Sequence, residues 1–246
     1  MSDRSHSRAE LIAAFILGVL LCPEALHAKS QLALQPCRIA DGDGLVSIEA
    51  RCGKYDAPEN PDDPKGKRIK LAVAVVPAVA TKSKPDPLFL IAGGPGQGSI
   101  EGYAPLLDAF AGIRRERDLV LVDQRGTGGS NRLDCAIPED ALDTGEIPPA
   151  ELRELARACL PSLPGQPEYY TTSIAVRDLD AVRAALGYAT VNVFGGSYGT
   201  RVAQHYARRY PERTRTIMLD GVVPPTLALV PAIAIESQRA LDGVFA

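Results

Sequence analysis

The sequence predicts a doubly wound α/β fold, a mostly parallel sheet covered on both faces by helices. Three observations carry that expectation. Apolar runs inside Leu88–Ile91, Asp118–Val122 and Thr216–Asp220 suit strands buried on both faces of a parallel sheet, where neither side meets water. Segments with helical 3–4 spacing lie between them, in a strand, loop, helix rhythm. Finally, Val191-Asn192-Val193-Phe194 runs directly into Gly195-Gly196-Ser197-Tyr198-Gly199, and a helical pattern follows from Arg201 to Tyr210.

Residues 1–28 read as a secretory signal rather than as part of the fold. Arg4 and Arg8 precede the apolar run Leu11–Cys22, and Ala25-Leu26-His27-Ala28 offers small residues for cleavage. That run is well short of the roughly 20 residues a membrane-spanning helix needs, so no stable span is expected after cleavage. Cys22 invites a lipoprotein reading, but bulky Leu20 and Leu21 stand where small residues are preferred. Residues 29–68 form a loop-rich entry with one short strand around Leu45–Ile48. Residues 69–230 hold the α/β core, and 231–246 begin a cap helix.

Within the core, Ile69–Val76 alternates large and small residues as a strand does. After the strand Leu88–Ile91 comes Ala92-Gly93-Gly94-Pro95-Gly96-Gln97-Gly98. So many glycines cost backbone entropy, so the loop is either a flexible turn or a place where the main chain itself is used, as an N–H donor to an anion. A phosphate loop is disfavoured because no Gly-Lys-Ser/Thr follows and Pro95 removes a donor. Ile100–Ala111 reads as a helix with Leu106, Leu107 and Phe110 inward. Asp123-Gln124-Arg125-Gly126-Thr127-Gly128 closes the next strand, and Asp123 and Arg125 are expected to brace loops. Leu133–Gln166 is a proline-rich insertion with a helix at Pro149–Leu160. Thr172-Ser173 caps a helix whose stripe is Ala175, Leu179, Val182 and Leu186, with Arg177, Asp180 and Arg183 on the solvent side.

The turn at Ser197 is the nucleophile-elbow pattern of strand, G-x-S-x-G and helix. Its tightness explains Gly195 and Gly199, because larger flanking side chains would clash, and Gly196 completes the elbow. Ser197 is the candidate nucleophile. A serine hydroxyl needs a base to take its proton, normally a histidine oriented by a carboxylate, and the elbow fold places both after the serine. Of three histidines, His6 and His27 lie in the signal region. His205 is eight residues along the elbow helix, about 12 Å from its start, and is expected to be a surface or partly packed residue. Asp220 ends a strand on the correct edge but is expected to anchor a loop or cap. The acid and base are therefore expected outside these 246 residues, which should turn over substrate slowly or not at all.

Cys37, Cys52, Cys135 and Cys159 remain once the signal is set aside. An even count in an exported chain implies two disulfides. Three pairings are possible, and sequence proximity favours Cys37–Cys52 with Cys135–Cys159. No metal-ligand spacing is present, and no cofactor is expected. A formal net charge of −3 offers no basic patch for nucleic acid.

Gly93-Gly94-Pro95-Gly96-Gln97, Asp123-Gln124-Arg125-Gly126-Thr127-Gly128, Gly195-Gly196-Ser197-Tyr198-Gly199-Thr200 and Leu219-Asp220-Gly221-Val222 together resemble the α/β-hydrolase superfamily. Within it the likeness is to prolyl and tripeptidyl aminopeptidase-like secreted serine exopeptidases, from about Cys37 to the end of the sequence. The resemblance implies an oxyanion hole from the backbone N–H groups of Gly94 and Tyr198, each contributing about 3 kcal/mol to the transition state. The family often has histidine where Ala92 stands, a departure expected to alter loop bracing rather than mechanism. It implies a secreted or periplasmic aminopeptidase acting on peptides through an acyl-enzyme. The rival readings are a carboxylesterase for small acyl esters and a non-catalytic binding protein of the same fold.

Overall fold

The computed structural model describes residues 32–40, 43–44, 47–135 and 148–245. The proposed signal, with Cys22, His6 and His27, lies outside them, as do Leu45, Val46 and residues 136–147. Seven strands, β1 (Gln35–Ala40), β2 (Ser47–Pro58), β3 (Arg68–Val76), β4 (Leu88–Ile91), β5 (Leu119–Val122), β6 (Val191–Gly196) and β7 (Thr214–Asp220), form one sheet in the order β1-β2-β3-β5-β4-β6-β7. The half β5-β4-β6-β7 is parallel, whereas β1, β2 and β3 pair antiparallel, β3 with β5 included.

Six helices accompany the sheet among the described residues: α1 (Ser99–Tyr103), α2 (Ala111–Arg114), α3 (Pro149–Cys159), α4 (Thr172–Ala185), α5 (Tyr198–Arg209) and α6 (Leu229–Phe245). Alternation along the central strands divides the core into two layers. Phe89, Ile91, Val120 and Val122 pack with Val176, Leu179, Val182, Val202 and Tyr206 from α4 and α5. Leu88, Leu90, Leu119 and Leu121 face the other way, against Tyr103 and Leu107. Each such side chain contributes roughly 1.5–3 kcal/mol on burial, and coverage of both faces is why these strands are apolar throughout.

Four local expectations are corrected. The segment read as a loop-rich entry is a long hairpin, β1 with β2, stapled by Cys37–Cys52 with the Cα atoms 5.8 Å apart. Its strands are partly exposed and polar, so their pairing is set by β3 and by the staple rather than by an apolar run. The helix expected over Ile100–Ala111 is split into α1, a 3-10 stretch Ala104–Phe110 and α2. Pro105 lacks the N–H that would continue the i−4 ladder, and the changed pitch leaves Leu106 53% exposed. Helix α4 has Thr171, not Thr172-Ser173, at its N-cap, and no side chain caps it. Asp180 and Arg183, expected in solvent, are buried.

Candidate active site

Ser197 stands between the last residue of β6 and the first of α5, with φ 51° and ψ −121°. A non-glycine residue in such a sparsely populated region costs on the order of 1–3 kcal/mol, so surrounding bonds must impose it. The Ser197 N–H donates to the Asp220 carbonyl at 2.7 Å, and the Ser197 carbonyl accepts from the Thr200 N–H at 2.9 Å and Thr200 Oγ1 at 2.6 Å. Thr200, fully buried, accepts in turn from the Val223 N–H at 2.8 Å. The glycines answer close approaches: a Cβ on Gly195 would run into the Gly199 carbonyl, and one on Gly199 into the Ile91 carbonyl.

The glycine loop lies against this turn. A Cβ at Gly93 would sit 3.0 Å from Ser197 Cβ and 3.5 Å from Ser197 Oγ, and Gly94 has φ 99°. The loop's start is held by Ser99 Oγ, which accepts the Ala92 N–H at 3.1 Å. Tyr103 Oη donates to the Ile91 carbonyl at 3.0 Å, and a Cβ at Gly196 would lie 3.1 Å from the same hydroxyl. Burial, and then the charge of Asp220, push this phenol up to about 12, so it stays a donor at physiological pH. Bracing therefore comes from Ser99 and Tyr103, with Ala92 buried where the resembled family often has histidine.

Ser197 itself is exposed and opens into a cavity of about 400 Å³ bounded by Gly93, Gly94, Tyr103, Leu106 and Asp220. A smaller cavity of about 170 Å³ lies beside Tyr198, lined by Pro95, Gln124, Thr127 and Tyr170. The amide of Tyr198, at the first position of α5, has no i−4 carbonyl to bond. With the loop at Gly94 close to the serine, the arrangement can offer backbone donors beside an exposed hydroxyl.

Asp123 and Arg125 brace loops, as expected. The Asp123 carboxylate accepts from the Ile100 N–H and the Gly129 N–H, both at 2.9 Å, which ties the two loops at the strand ends together. Burial pushes its carboxyl up. Arg125 forks onto Asp178, Nε to Oδ2 at 2.6 Å and Nη2 to Oδ1 at 2.8 Å. It also donates to the carbonyls of Pro58, Glu59 and Tyr169. Sequence reasoning missed Asp178 and Glu59. Asp178 sits on the buried flank of α4, next to the apolar stripe, and that placement was the available signal. Glu59 accepts from Tyr170 Oη at 2.9 Å, a pairing across the chain that nothing local announces. The supposed solvent pair Asp180–Arg183 is buried and meets at 2.8 Å, with Tyr206 bonding Asp180 from inside and the exposed Arg213 from the surface.

His205 is not brought to Ser197. It lines a separate cavity with Arg201, Gln204 and Arg208, and burial, then the neighbouring charges of Arg208 and Arg209, hold its pKa down. Cys135 pairs with Cys159, Cα atoms 5.5 Å apart. Among the described residues no group of three His, Cys, Asp or Glu side chains could hold a metal ion, and no helix is long and apolar enough to cross a membrane.

A strained serine at a strand-to-helix turn, on the C-terminal edge of a parallel sheet, is the local geometry of the nucleophile elbow in the α/β-hydrolase fold. The chain belongs to the alpha/beta hydrolase fold family, whose model matches residues 86–245. It is 31% identical over 192 residues to a protein named tripeptidyl aminopeptidase from Streptomyces lividans, covering 72% of this chain and 36% of that protein. It is 32% identical over 205 residues to serine protease Hip1 of Mycobacterium tuberculosis H37Rv, 77% and 39% of the two chains. A Mycobacterium tuberculosis CDC 1551 protein named carboxylesterase B is 32% identical over 223 residues, 84% and 42%. The chain thus spans well under half the length of these curated relatives.

Proposed function

We propose that this chain is part of a secreted serine aminopeptidase that removes N-terminal residues or short peptides through an acyl-enzyme on Ser197. The carrying observation is the backbone of Ser197, at φ 51° and exposed beside the glycine loop. Its Oγ attacks the scissile carbonyl while its proton passes to a base, and the backbone N–H groups of Gly94 and Tyr198 stabilise the oxyanion. Collapse of the tetrahedral adduct expels the amine, which takes up a proton, and water then hydrolyses the ester and regenerates the serine. We assign the base and its orienting acid to parts of the protein outside this sequence, because His205 occupies a different cavity. The reading also takes residues 1–28 as a signal and α6 as the opening of a cap. Two disulfides support an extracytoplasmic site.

Fluorophosphonate labelling of the full protein tests the nucleophile. Ser197 should be modified, and Ser197→Ala should lose the label together with hydrolysis, by about 10⁴-fold or more. Equal labelling of both would remove Ser197 from the role, and no labelling of the wild type would favour a non-catalytic binding protein. A carboxylesterase remains a second reading, supported by the relative of that name. Faster turnover of simple acyl esters than of aminoacyl amides at matched leaving groups would select it.

A further inference from the structure

We propose that the cavity between helix α5 and the first turn of α4 binds a tetrahedral oxyanion, phosphate or sulfate in chemistry, through Arg201, His205 and Arg208. The site stands apart from the cavity at Ser197 and does not depend on the aminopeptidase reading.

Helix α5 carries no acidic residue. Arg201, His205 and Arg208 follow at i, i+4 and i+7, which sets them on one helix face. All three line a cavity of about 380 Å³, together with Thr172, Gln204 and Pro225. Among the described residues no carboxylate lines that cavity, and neither Arg208 nor the His205 ring has a hydrogen bond or an ion pair. Arg201 donates only from Nη2, to the carbonyls of Pro224 and Leu227. Its Nε is buried without a partner, and among the described residues its Nη1 has none either. By contrast, Arg117, Arg125, Arg183, Arg213 and Arg215 each meet a carboxylate. The chain as a whole is negative, at −3, so the positive cluster is local.

Three cationic or protonatable groups within two turns repel one another. The repulsion is felt at His205, whose pKa is held down by burial and then by Arg208 and Arg209. From the elements packed against it, α4 and the segment leading to α6 bring Thr172 and Pro225 to the cavity, neither of them charged. Arg201 also stands near the start of α5, where the helix dipole disfavours a cation. Thr172 begins α4, which has no side-chain cap and no acidic residue in its first turn. Its leading amides and positive dipole end therefore add to the same field. A dianion offsets all of these charges at once, and guanidinium groups form charge-assisted hydrogen bonds with tetrahedral oxyanions. The volume equals on the order of ten waters at about 30 Å³ each, room for the ion together with a small organic group esterified to it.

The test is calorimetric titration of the full protein with inorganic sulfate, at fixed low ionic strength and about pH 6.5, near the ordinary histidine value. Binding should saturate, and Arg208→Gln should weaken it about tenfold or more, the loss of a hydrogen bond between charged groups. Arg208→Lys should keep part of the affinity. Arg208 is exposed, and an unchanged thermal midpoint without sulfate checks that the variant is folded. Sulfate does not titrate in this range, so proton uptake, read from two buffers of different ionisation enthalpy, reports His205 gaining its proton beside the anion. His205→Gln should abolish that uptake. Phenyl phosphate binding more tightly than inorganic phosphate assigns the site to a phosphorylated small molecule, and equal binding assigns it to the free ion. No saturable sulfate binding, wild-type affinity in Arg208→Gln, acetate binding as tightly as sulfate, or proton uptake surviving in His205→Gln would each overturn the inference.

Discussion

At Gly199 a single methyl group probes how the nucleophile turn is built. A Cβ there would press on the carbonyls of Ile91 and Ala92, which are main-chain groups at the end of a buried strand and cannot rotate away. Gly199→Ala should therefore cost about 1–3 kcal/mol through overpacking, seen as a thermal midpoint lower by several degrees, and the displaced loop should also slow fluorophosphonate labelling. A variant with both properties intact would mean that the elbow is looser than drawn. Asp123 makes the same point with polar groups. Its two oxygens each accept one backbone N–H, and an amide can accept only at one. Asp123→Asn should lose about 1–3 kcal/mol, the cost of a buried donor left facing a donor, read by chemical denaturation. Both positions belong to motifs visible in the sequence, whereas the atoms they press against come from other segments.

At the scale of elements, Arg125 joins four pieces of chain: the end of β2, the loop after β5, the insertion near Tyr169 and helix α4. The sequence marks it only as a charged residue in a glycine-bearing loop. Its partner Asp178 lies 53 residues away and could not be found by local spacing. Arg125→Ala would strand a buried carboxylate, and breaking such a pair typically costs about 3–5 kcal/mol. The expected readout is a lower denaturation midpoint with faster proteolysis between residues 148 and 171. Retention of wild-type stability would show that Asp178 finds another donor. Helix α4 illustrates the converse limit. Its apolar stripe is legible, but helical spacing alone does not reveal that Asp180 and Arg183 are buried, with Tyr206 and Arg213 from distant segments bonding Asp180.

For the molecule as a whole, the antiparallel hairpin β1–β2 and the parallel half of the sheet answer to different forces. The hairpin is half-exposed and held by Cys37–Cys52, which closes a loop of 15 residues. In the chain-entropy account a staple of that span contributes about 3 kcal/mol, so reduction or Cys52→Ser should lower the thermal midpoint measurably, and an unchanged midpoint would assign the hairpin's stability to β3. Acid stability has a named contributor in Asp86. Burial raises its carboxyl, but hydrogen bonds from Asn192 and Arg117, with the charges of Arg117 and Arg215, outweigh that and hold it below the ordinary value of 3.8. A carboxyl depressed in the folded state stabilises above its unfolded pKa and loses that contribution as pH falls through the folded one. The stability of Asp86→Asn should accordingly fall less than that of the wild type over the acid range below about pH 4, and parallel acid curves would contradict this.

The sequence alone determined the α/β class, the central strands, the elbow and its glycines, and the pairing preference of the cysteines. Those features are local: a strand buried on both faces must be apolar throughout, and a tight strand-to-helix turn must be small around its serine. Only the tertiary structure decided the hairpin at the start, the broken helix at Pro105, the partners of Arg125 and Asp180, and the separation of His205 from Ser197. Each depends on which distant segment arrives at a given surface, and burial then turns a charge from solvated to paired.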